Sequence, residues 1–174
     1  SGFYSIVAAM NQNFESAAIA IFVAMILDGM DGRIARLTNT QSAFGMQYDS
    51  LSDMISFGLA PSLVVYQWAL FGMGKLGWLA AFVYTACASL RLARFNTQAT
   101  SVDKRYFQGL PSPGGAAVLG GLVWFGNNFG LADDTAIAIM CSLLTVVVGL
   151  LMVSNIRYHS FKEFDLKNRI PFMA

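Results

Sequence analysis

The sequence predicts an all-α, polytopic membrane protein with six transmembrane helices, and its composition and charge distribution are the reasons. Of the 174 residues, 56% are hydrophobic and 12% are charged, whereas about 25% of the residues in a soluble domain are charged. Six uncharged runs divide the chain, and such runs are typical of helices that cross a bilayer, which need about 20 residues each. The runs cover residues 1–14, 16–27, 54–74, 76–90, 106–132 and 135–156.

Each run predicts one helix, and together the helices would form a single transmembrane domain over residues 1–174. The first run is apolar from its start, so we expect it to be the second half of a helix whose beginning is missing. The runs at 16–27 and 76–90 reach spanning length only if their helices continue into charged residues. The five later helices are predicted over residues 14–37, 45–70, 76–95, 111–129 and 134–158.

Prolines and glycines predict local features of these helices. Pro111 and Pro113 suit the start of the fifth helix. Pro61 lies inside the third helix, where we expect a kink. The sequence GGAAVLGG at residues 114–121 should let neighbouring helix backbones approach closely in lipid.

The basic residues predict the orientation of the chain in the membrane. Ten lysines and arginines lie in one set of connections, and only Lys75 lies in the opposite set. Because cytoplasmic loops carry the excess of basic residues, this end and both termini should face the cytoplasm. The formal net charge of +1 gives no indication of a nucleic-acid partner. The ten basic residues are Arg33, Arg36, Arg91, Arg94, Lys104, Arg105, Arg157, Lys162, Lys167 and Arg169.

Four aspartates between the second and third runs are the candidate functional residues. Asp28 and Asp31 have helical spacing i, i+3, and Asp49 and Asp53 have spacing i, i+4, so each pair projects from one helix face. At 1.5 Å per residue, Asp28 would lie roughly 20 Å along the helix from Glu15, still below the membrane surface. Ionisable groups at membrane depth are usually functional, which disfavours a helix cap or a surface salt bridge for all four.

The aspartates predict a site for two divalent cations. Four carboxylates that converge would repel one another unless cations neutralised them. Oxygen ligands suit hard cations such as Mg²⁺ or Mn²⁺, and also Ca²⁺. Two such ions about 4 Å apart can clamp a phosphoryl group during its transfer. Gly32 and Gly45 would let a ligand approach the backbone. Arg33 and Arg36 could face phosphate oxygens or a lipid headgroup, or act as membrane anchors, with Arg36 favoured as the inward arginine and Arg33 as the anchor.

The spacing of the stretch is D-x2-D-G-x2-A-R-x8-G-x3-D-x3-D. The fixed positions are filled by Asp28, Asp31, Gly32, Ala35, Arg36, Gly45, Asp49 and Asp53. This pattern resembles the signature of the CDP-alcohol phosphatidyltransferase family at every fixed position. The resemblance implies six transmembrane helices, a homodimer, two divalent metals at the cytoplasmic side, and displacement of CMP from a CDP-linked lipid or alcohol.

The same resemblance implies roles for individual residues. Asp28, Asp31, Asp49 and Asp53 would bind the metals, and Asp53 would also be the catalytic base that takes the proton of the acceptor hydroxyl. The CDP moiety would bind beside Asp31, Gly32, Ala35, Arg36 and Gly45.

Three further stretches are similar to the bacterial, integral-membrane phosphatidylserine synthase branch of this family. They are YDSLSDMISFGLAPS, SLRLARFN and KRYFQGLPSPGG. The resemblance implies CDP-diacylglycerol and L-serine as substrates. Other acceptors, such as glycerol phosphate or inositol phosphate, stay open.

Basic residues near the aspartates are candidates for binding the acceptor or the lipid phosphate. For each of them alone, a positive-inside anchor is the favoured role, whereas binding and anchoring are evenly balanced for the pair in RLAR. The candidates are Arg91, Arg94, Arg33, Lys104 and Arg105.

A metal-ion or proton-coupled transporter is the rival interpretation, because intramembrane carboxylates also line transport pathways. Against it, all four aspartates cluster toward one end, and the outer half has no charged residue that would continue a path.

Overall fold

The computed structural model describes residues 1–38, 42–98, 106–131, 135–155 and 157–159. These residues form seven α-helices, two π-helical segments, one 3₁₀ turn and one pair of short strands. The α-helices are α1 (Gly2–Met10), α2 (Phe14–Leu37), α3 (Ala43–Asp53), α4 (Ala60–Val65), α5 (Lys75–Gln98), α6 (Ser112–Asn128) and α7 (Thr135–Val153).

The predicted third helix is a continuous rod built from five consecutive elements. A π-helical segment, Met54–Leu59, joins α3 to α4, and a second one, Tyr66–Leu70, leads into the 3₁₀ turn Phe71–Met73. The rod is therefore longer than the predicted 45–70. Pro61 lies in the first turn of α4, directly after the first π-helical segment.

Side-chain caps explain where the two aspartate-bearing helices begin. The Asn13 side chain accepts a hydrogen bond from the Ser16 N–H (3.2 Å) at the start of α2, and the Ser42 hydroxyl accepts one from the Gly45 N–H (3.0 Å) at the start of α3. Asn and Ser are favoured at this position because they satisfy N–H groups that lack a partner within the helix. The observed bounds of α2 are those that the sequence predicts.

The last helix ends earlier than predicted. It stops at Val153, and Arg157–His159 forms strand β2, which pairs antiparallel with strand β1, Tyr106–Gln108. The prediction that the helix reaches residue 158 is wrong, because Arg157 and Tyr158 instead belong to a strand that pairs with residues about 50 positions earlier in the chain. Gly109 follows β1 with φ of +78°, and a Cβ atom there would collide with the Met152 carbonyl, so glycine is required.

Small residues bring the helices together, as the glycine-rich sequence predicts. In α6, Gly115 faces Met152 and Val148 of α7, and Gly120 faces Ile21 of α2. The helix α5 packs along α7, and α2 packs on both α1 and α6.

The described residues contain three helical stretches that are long and apolar enough to cross a membrane, namely Phe44–Met73, Lys75–Thr97 and Thr135–Val153. The six predicted spans are therefore not confirmed. Helix α1 has 9 residues and α6 has 17, both short for a span. Helix α2 has 24 residues but carries charged residues in its second half, including the first aspartate pair.

Candidate metal centre

The C-terminal half of α2 and the helix α3 bring three predicted ligands together. One carboxylate oxygen from each of Asp28, Asp31 and Asp49 lies within 4.8 Å of the corresponding oxygens of the other two. Asp28 is half-buried, whereas Asp31 and Asp49 are exposed. Helical spacing places each pair on one face, and the return of the chain into α3 sets the two faces opposite each other.

The fourth aspartate belongs to the same cluster. Asp53 is the last residue of α3 and is half-buried. Its carboxyl group is close enough to that of Asp28 for a hydrogen bond, and it interacts electrostatically with Asp49 and with Arg91. Two carboxylates at this separation repel unless a proton or a cation lies between them. The arrangement therefore concentrates negative charge where a cation would be stabilised.

The chemistry of this donor set fits hard divalent cations. All four side chains offer oxygen atoms, which Mg²⁺, Mn²⁺ and Ca²⁺ prefer. Asp31 and Asp49 are exposed, so an ion can reach the cluster from outside the bundle. The described residues therefore include an acidic cluster that could bind metal.

The other signature residues flank the aspartates. Gly32 is half-buried within α2, directly after Asp31. Gly45 is exposed in the first turn of α3, where a Cβ atom would lie 3.1 Å from the Ser42 hydroxyl oxygen that caps the helix. The backbone of Ala35 and Arg36 continues α2, and their side chains lie outside what the structure describes.

Arg91 of α5 is the basic residue that the structure places beside the aspartates. Its Nη1 donates a hydrogen bond to the hydroxyl of Ser112 (2.9 Å), a buried residue at the start of α6. Its guanidinium group interacts electrostatically with Asp53. Its Nε is buried and has no hydrogen-bond partner among the described residues. The guanidinium group therefore lies beside the aspartate cluster, and its Nε–H can still donate a hydrogen bond.

Arg94, one turn further along α5, contacts a different element. Its Nη2 donates to the Asn155 side-chain oxygen (2.8 Å), and its Nη1 donates to the Val153 carbonyl (3.4 Å). Val153 is the last residue of α7, and a cation at a helix C-terminus stabilises the carbonyl groups that lack a partner within the helix. The sequence does not distinguish Arg91 from Arg94. In the structure, Arg91 lies beside the aspartates, whereas Arg94 contacts the end of α7.

Three basic candidates remain. Arg33 is an exposed residue of α2. Lys104 and Arg105 lie outside the described residues.

A polar contact between α3 and α5 was not predicted from the sequence. The Asn96 amide nitrogen donates to the Ser50 hydroxyl oxygen (3.0 Å), and Ser50 follows Asp49 directly. The contact was missed because the fourth helix was predicted to end at residue 95, whereas α5 continues to Gln98. The helical pattern continues after Arg91 into the sequence RFN, which begins at Arg94 and ends at Asn96. This continuation could have indicated the contact between Asn96 and Ser50.

The amino-acid sequence of the chain is similar to those of a known protein family. Residues 1–154 match the model of the family described as CDP-alcohol phosphatidyltransferase.

Three relatives carry the name CDP-diacylglycerol–serine O-phosphatidyltransferase. The protein of Helicobacter pylori strain 26695 is 39% identical over 162 residues, which cover 93% of this chain and 68% of the relative. That of Bacillus subtilis is 35% identical over 167 residues, covering 96% and 88%. That of Methanocaldococcus jannaschii is 36% identical over 141 residues, covering 81% and 62%. With its aspartate cluster and these similarities, the chain belongs to the CDP-alcohol phosphatidyltransferase family.

Proposed function

We propose that the protein transfers the phosphatidyl group of CDP-diacylglycerol to the hydroxyl group of L-serine, which gives phosphatidylserine and CMP. The convergence of Asp28, Asp31 and Asp49 within 4.8 Å carries the proposal, because it is the ligand set that phosphoryl transfer with divalent cations needs. The names of the relatives support serine as the acceptor.

In the proposed reaction, the serine hydroxyl oxygen forms a bond to the phosphorus that bears the diacylglycerol. The bond from that phosphorus to the oxygen bridging it to CMP breaks, and CMP leaves with this oxygen. The carboxylate of Asp53 takes the hydroxyl proton. Two bound Mg²⁺ or Mn²⁺ ions would neutralise the charge on the phosphate oxygens and on the departing CMP.

The other residues of the signature would bind the donor. Asp31, Gly32, Ala35, Arg36 and Gly45 would line the site for the CDP moiety. The exposed position of Gly45 supports this role, because its backbone is open to a ligand on the side away from Ser42.

Arg91 is the best-supported contact for the acceptor among the basic candidates. Its guanidinium group lies beside the proposed base, and its Nε can still donate a hydrogen bond. Such a donor suits the serine carboxylate or the lipid phosphate, because guanidinium groups bind both anions through parallel hydrogen bonds.

The proposal includes the membrane setting of the enzyme. The chain would cross the bacterial inner membrane six times, with the aspartates and both termini on the cytoplasmic side, and would form a homodimer. The basic residues at the aspartate end support this orientation.

The proposal is tested by measuring CMP release from CDP-diacylglycerol by the purified protein in detergent with Mn²⁺ or Mg²⁺. Serine, glycerol 3-phosphate, inositol and inositol phosphate would be compared as acceptors. We expect release with serine alone. Release with another acceptor would retain the family chemistry and refute serine. Absence of release from folded protein under every condition would refute the transferase and favour the transporter, which needs a sealed vesicle to show activity.

A further inference from the structure

The first π-helical segment of the rod begins directly after Asp53. In an α-helix, each N–H donates to the carbonyl group four residues earlier. Position 61 is a proline, which has no N–H, so the Phe57 carbonyl cannot receive this α-helical bond. The donors that remain for this buried carbonyl group are the Ser62 N–H, five residues later as in a π-helix, and groups from other elements.

Tyr84 of α5 supplies a donor to this carbonyl group. Its hydroxyl donates a hydrogen bond of 3.0 Å to the Phe57 oxygen, and both residues are buried. Tyr84 is itself held on two sides. A Cβ atom at Gly149 would lie 3.0 Å from its Cα, and a Cβ atom at Gly115 would lie 3.3 Å from its hydroxyl oxygen. The glycines leave the space that this side chain occupies.

One face of α5 connects this hydrogen bond to the aspartate cluster. Tyr84, Ala88 and Arg91 have spacing i, i+4, i+7 and therefore share a face. Tyr84 bonds Phe57, Ala88 lies 3.3 Å from where a Gly58 Cβ atom would be, and Arg91 interacts with Asp53. The face thus contacts both the π-helical segment and the aspartate that directly precedes it.

We propose that Tyr84 is a positioning residue for Asp53, acting through the Phe57 carbonyl that Pro61 leaves without its α-helical donor. The hydroxyl fixes the π-helical segment against α5. Because Asp53 immediately precedes this segment, its carboxylate is then held toward Asp28 and Asp49. The expected change in kcat rests on the proposed transferase activity. The expected change in metal binding does not.

The first test is Tyr84→Phe, which removes one hydroxyl group and keeps the ring. We expect kcat to fall about tenfold, which corresponds to about 1.4 kcal/mol, with the KM for CDP-diacylglycerol changed less than about twofold. We also expect weaker Mn²⁺ binding in an EPR titration of the purified protein without substrate. An unchanged kcat and an unchanged Mn²⁺ affinity in the folded variant would overturn the proposal.

Thr85→Val is the matched control, because it removes a neighbouring hydroxyl in the contact between α5 and α4. Thr85 lies 2.8 Å from the Ser62 hydroxyl, which also donates to the Leu59 carbonyl and so keeps a partner in the variant. We expect kcat and Mn²⁺ affinity to stay within about twofold of the original protein. Equal losses in Thr85→Val and Tyr84→Phe would indicate a general packing effect and overturn the specific role.

A double-mutant cycle with Pro61→Ala tests the link through the carbonyl group. Alanine returns an N–H four residues after Phe57, which can donate to this carbonyl group in place of the Tyr84 hydroxyl. We expect Tyr84→Phe to cause a smaller loss of Mn²⁺ affinity in the Pro61→Ala background. The same loss in both backgrounds would overturn this link. Mn²⁺ binding needs no turnover, so failure of the inference is distinguishable from failure of the proposed function.

Discussion

The two ends of the rod that begins at Ala43 differ in what they expose. At the start, Asp49 is exposed and Asp53 is half-buried, and both face carboxylates from α2. Fifteen residues after Asp53, or roughly 20 Å along the rod, Trp68 is 4% exposed and packs against Gly126 of α6. One end keeps charged groups accessible, and the other fills its volume with apolar side chains.

This difference indicates how the chain separates chemistry from stability. The aspartate cluster is electrostatically unfavourable without cations, so it is not a source of folding stability. The apolar end stabilises the bundle by close packing, where even one added methylene changes the fit. Substitutions at the two ends should therefore affect different measured quantities.

The largest effect is expected at the charged end, from Asp53→Asn. Asparagine keeps the shape of the side chain but cannot take the acceptor proton, so we expect kcat to fall by about 10³-fold, within the range of general-base catalysis. Binding of CDP-diacylglycerol should be largely retained, because three carboxylates remain. A single-turnover experiment that follows CMP release measures the catalytic rate. A separate titration with CDP-diacylglycerol measures the lipid affinity. Full activity in the variant would remove Asp53 from the role of base.

The next effect is expected at the apolar end, from Gly126→Val. Any Cβ atom at this position would collide with the Trp68 ring, and overpacking costs about 1–3 kcal/mol. We expect a lower midpoint of thermal unfolding in detergent, with kcat of the folded fraction unchanged.

Gly121→Val is the control for this prediction. The nearest atom to a Cβ at position 121 is the Phe22 Cζ, at 4.0 Å. It should unfold at nearly the original temperature. An equal decrease in both variants would indicate that valine destabilises α6 wherever it is placed, and would contradict the role of the Trp68 contact.

The third effect concerns the two arginines of α5. We expect Arg91→Ala to raise the KM for serine roughly tenfold, because a hydrogen bond to a charged group contributes about 1.5–3 kcal/mol. Arg94→Ala should instead lower the unfolding temperature, since it removes contacts with Val153 and Asn155 at the end of α7. If Arg94→Ala changed the KM for serine more than Arg91→Ala, the assignment of the two residues would be reversed.

Features that depend on nearby residues were predictable from the sequence. The bounds of α2 follow from the Asn13 cap and a long helical pattern, and the aspartates converge because their spacing fixes a face on each helix. The acidic cluster was predictable for the same reason, since i, i+3 and i, i+4 spacing is a local property.

Features that depend on tertiary contacts were not predictable. Arg91 and Arg94 have the same local environment in the sequence, and only the packing of α6 and α7 separates them. The strand pair joins residues 106–108 to residues 157–159, and no local pattern in either segment indicates the other. The hydrogen bond from Tyr84 to the Phe57 carbonyl joins the π-helical segment to another helix, and the local sequence of neither partner indicates it.

The most direct test of the account is the incorporation of labelled L-serine into lipid by the purified protein with CDP-diacylglycerol, with and without Mn²⁺. The account predicts incorporation that requires the cation, equals the CMP released, and is lost in Asp28→Asn. Incorporation that persists after chelation, or that Asp28→Asn retains in full, would contradict the assignment of the aspartate cluster as a metal centre for phosphatidyl transfer.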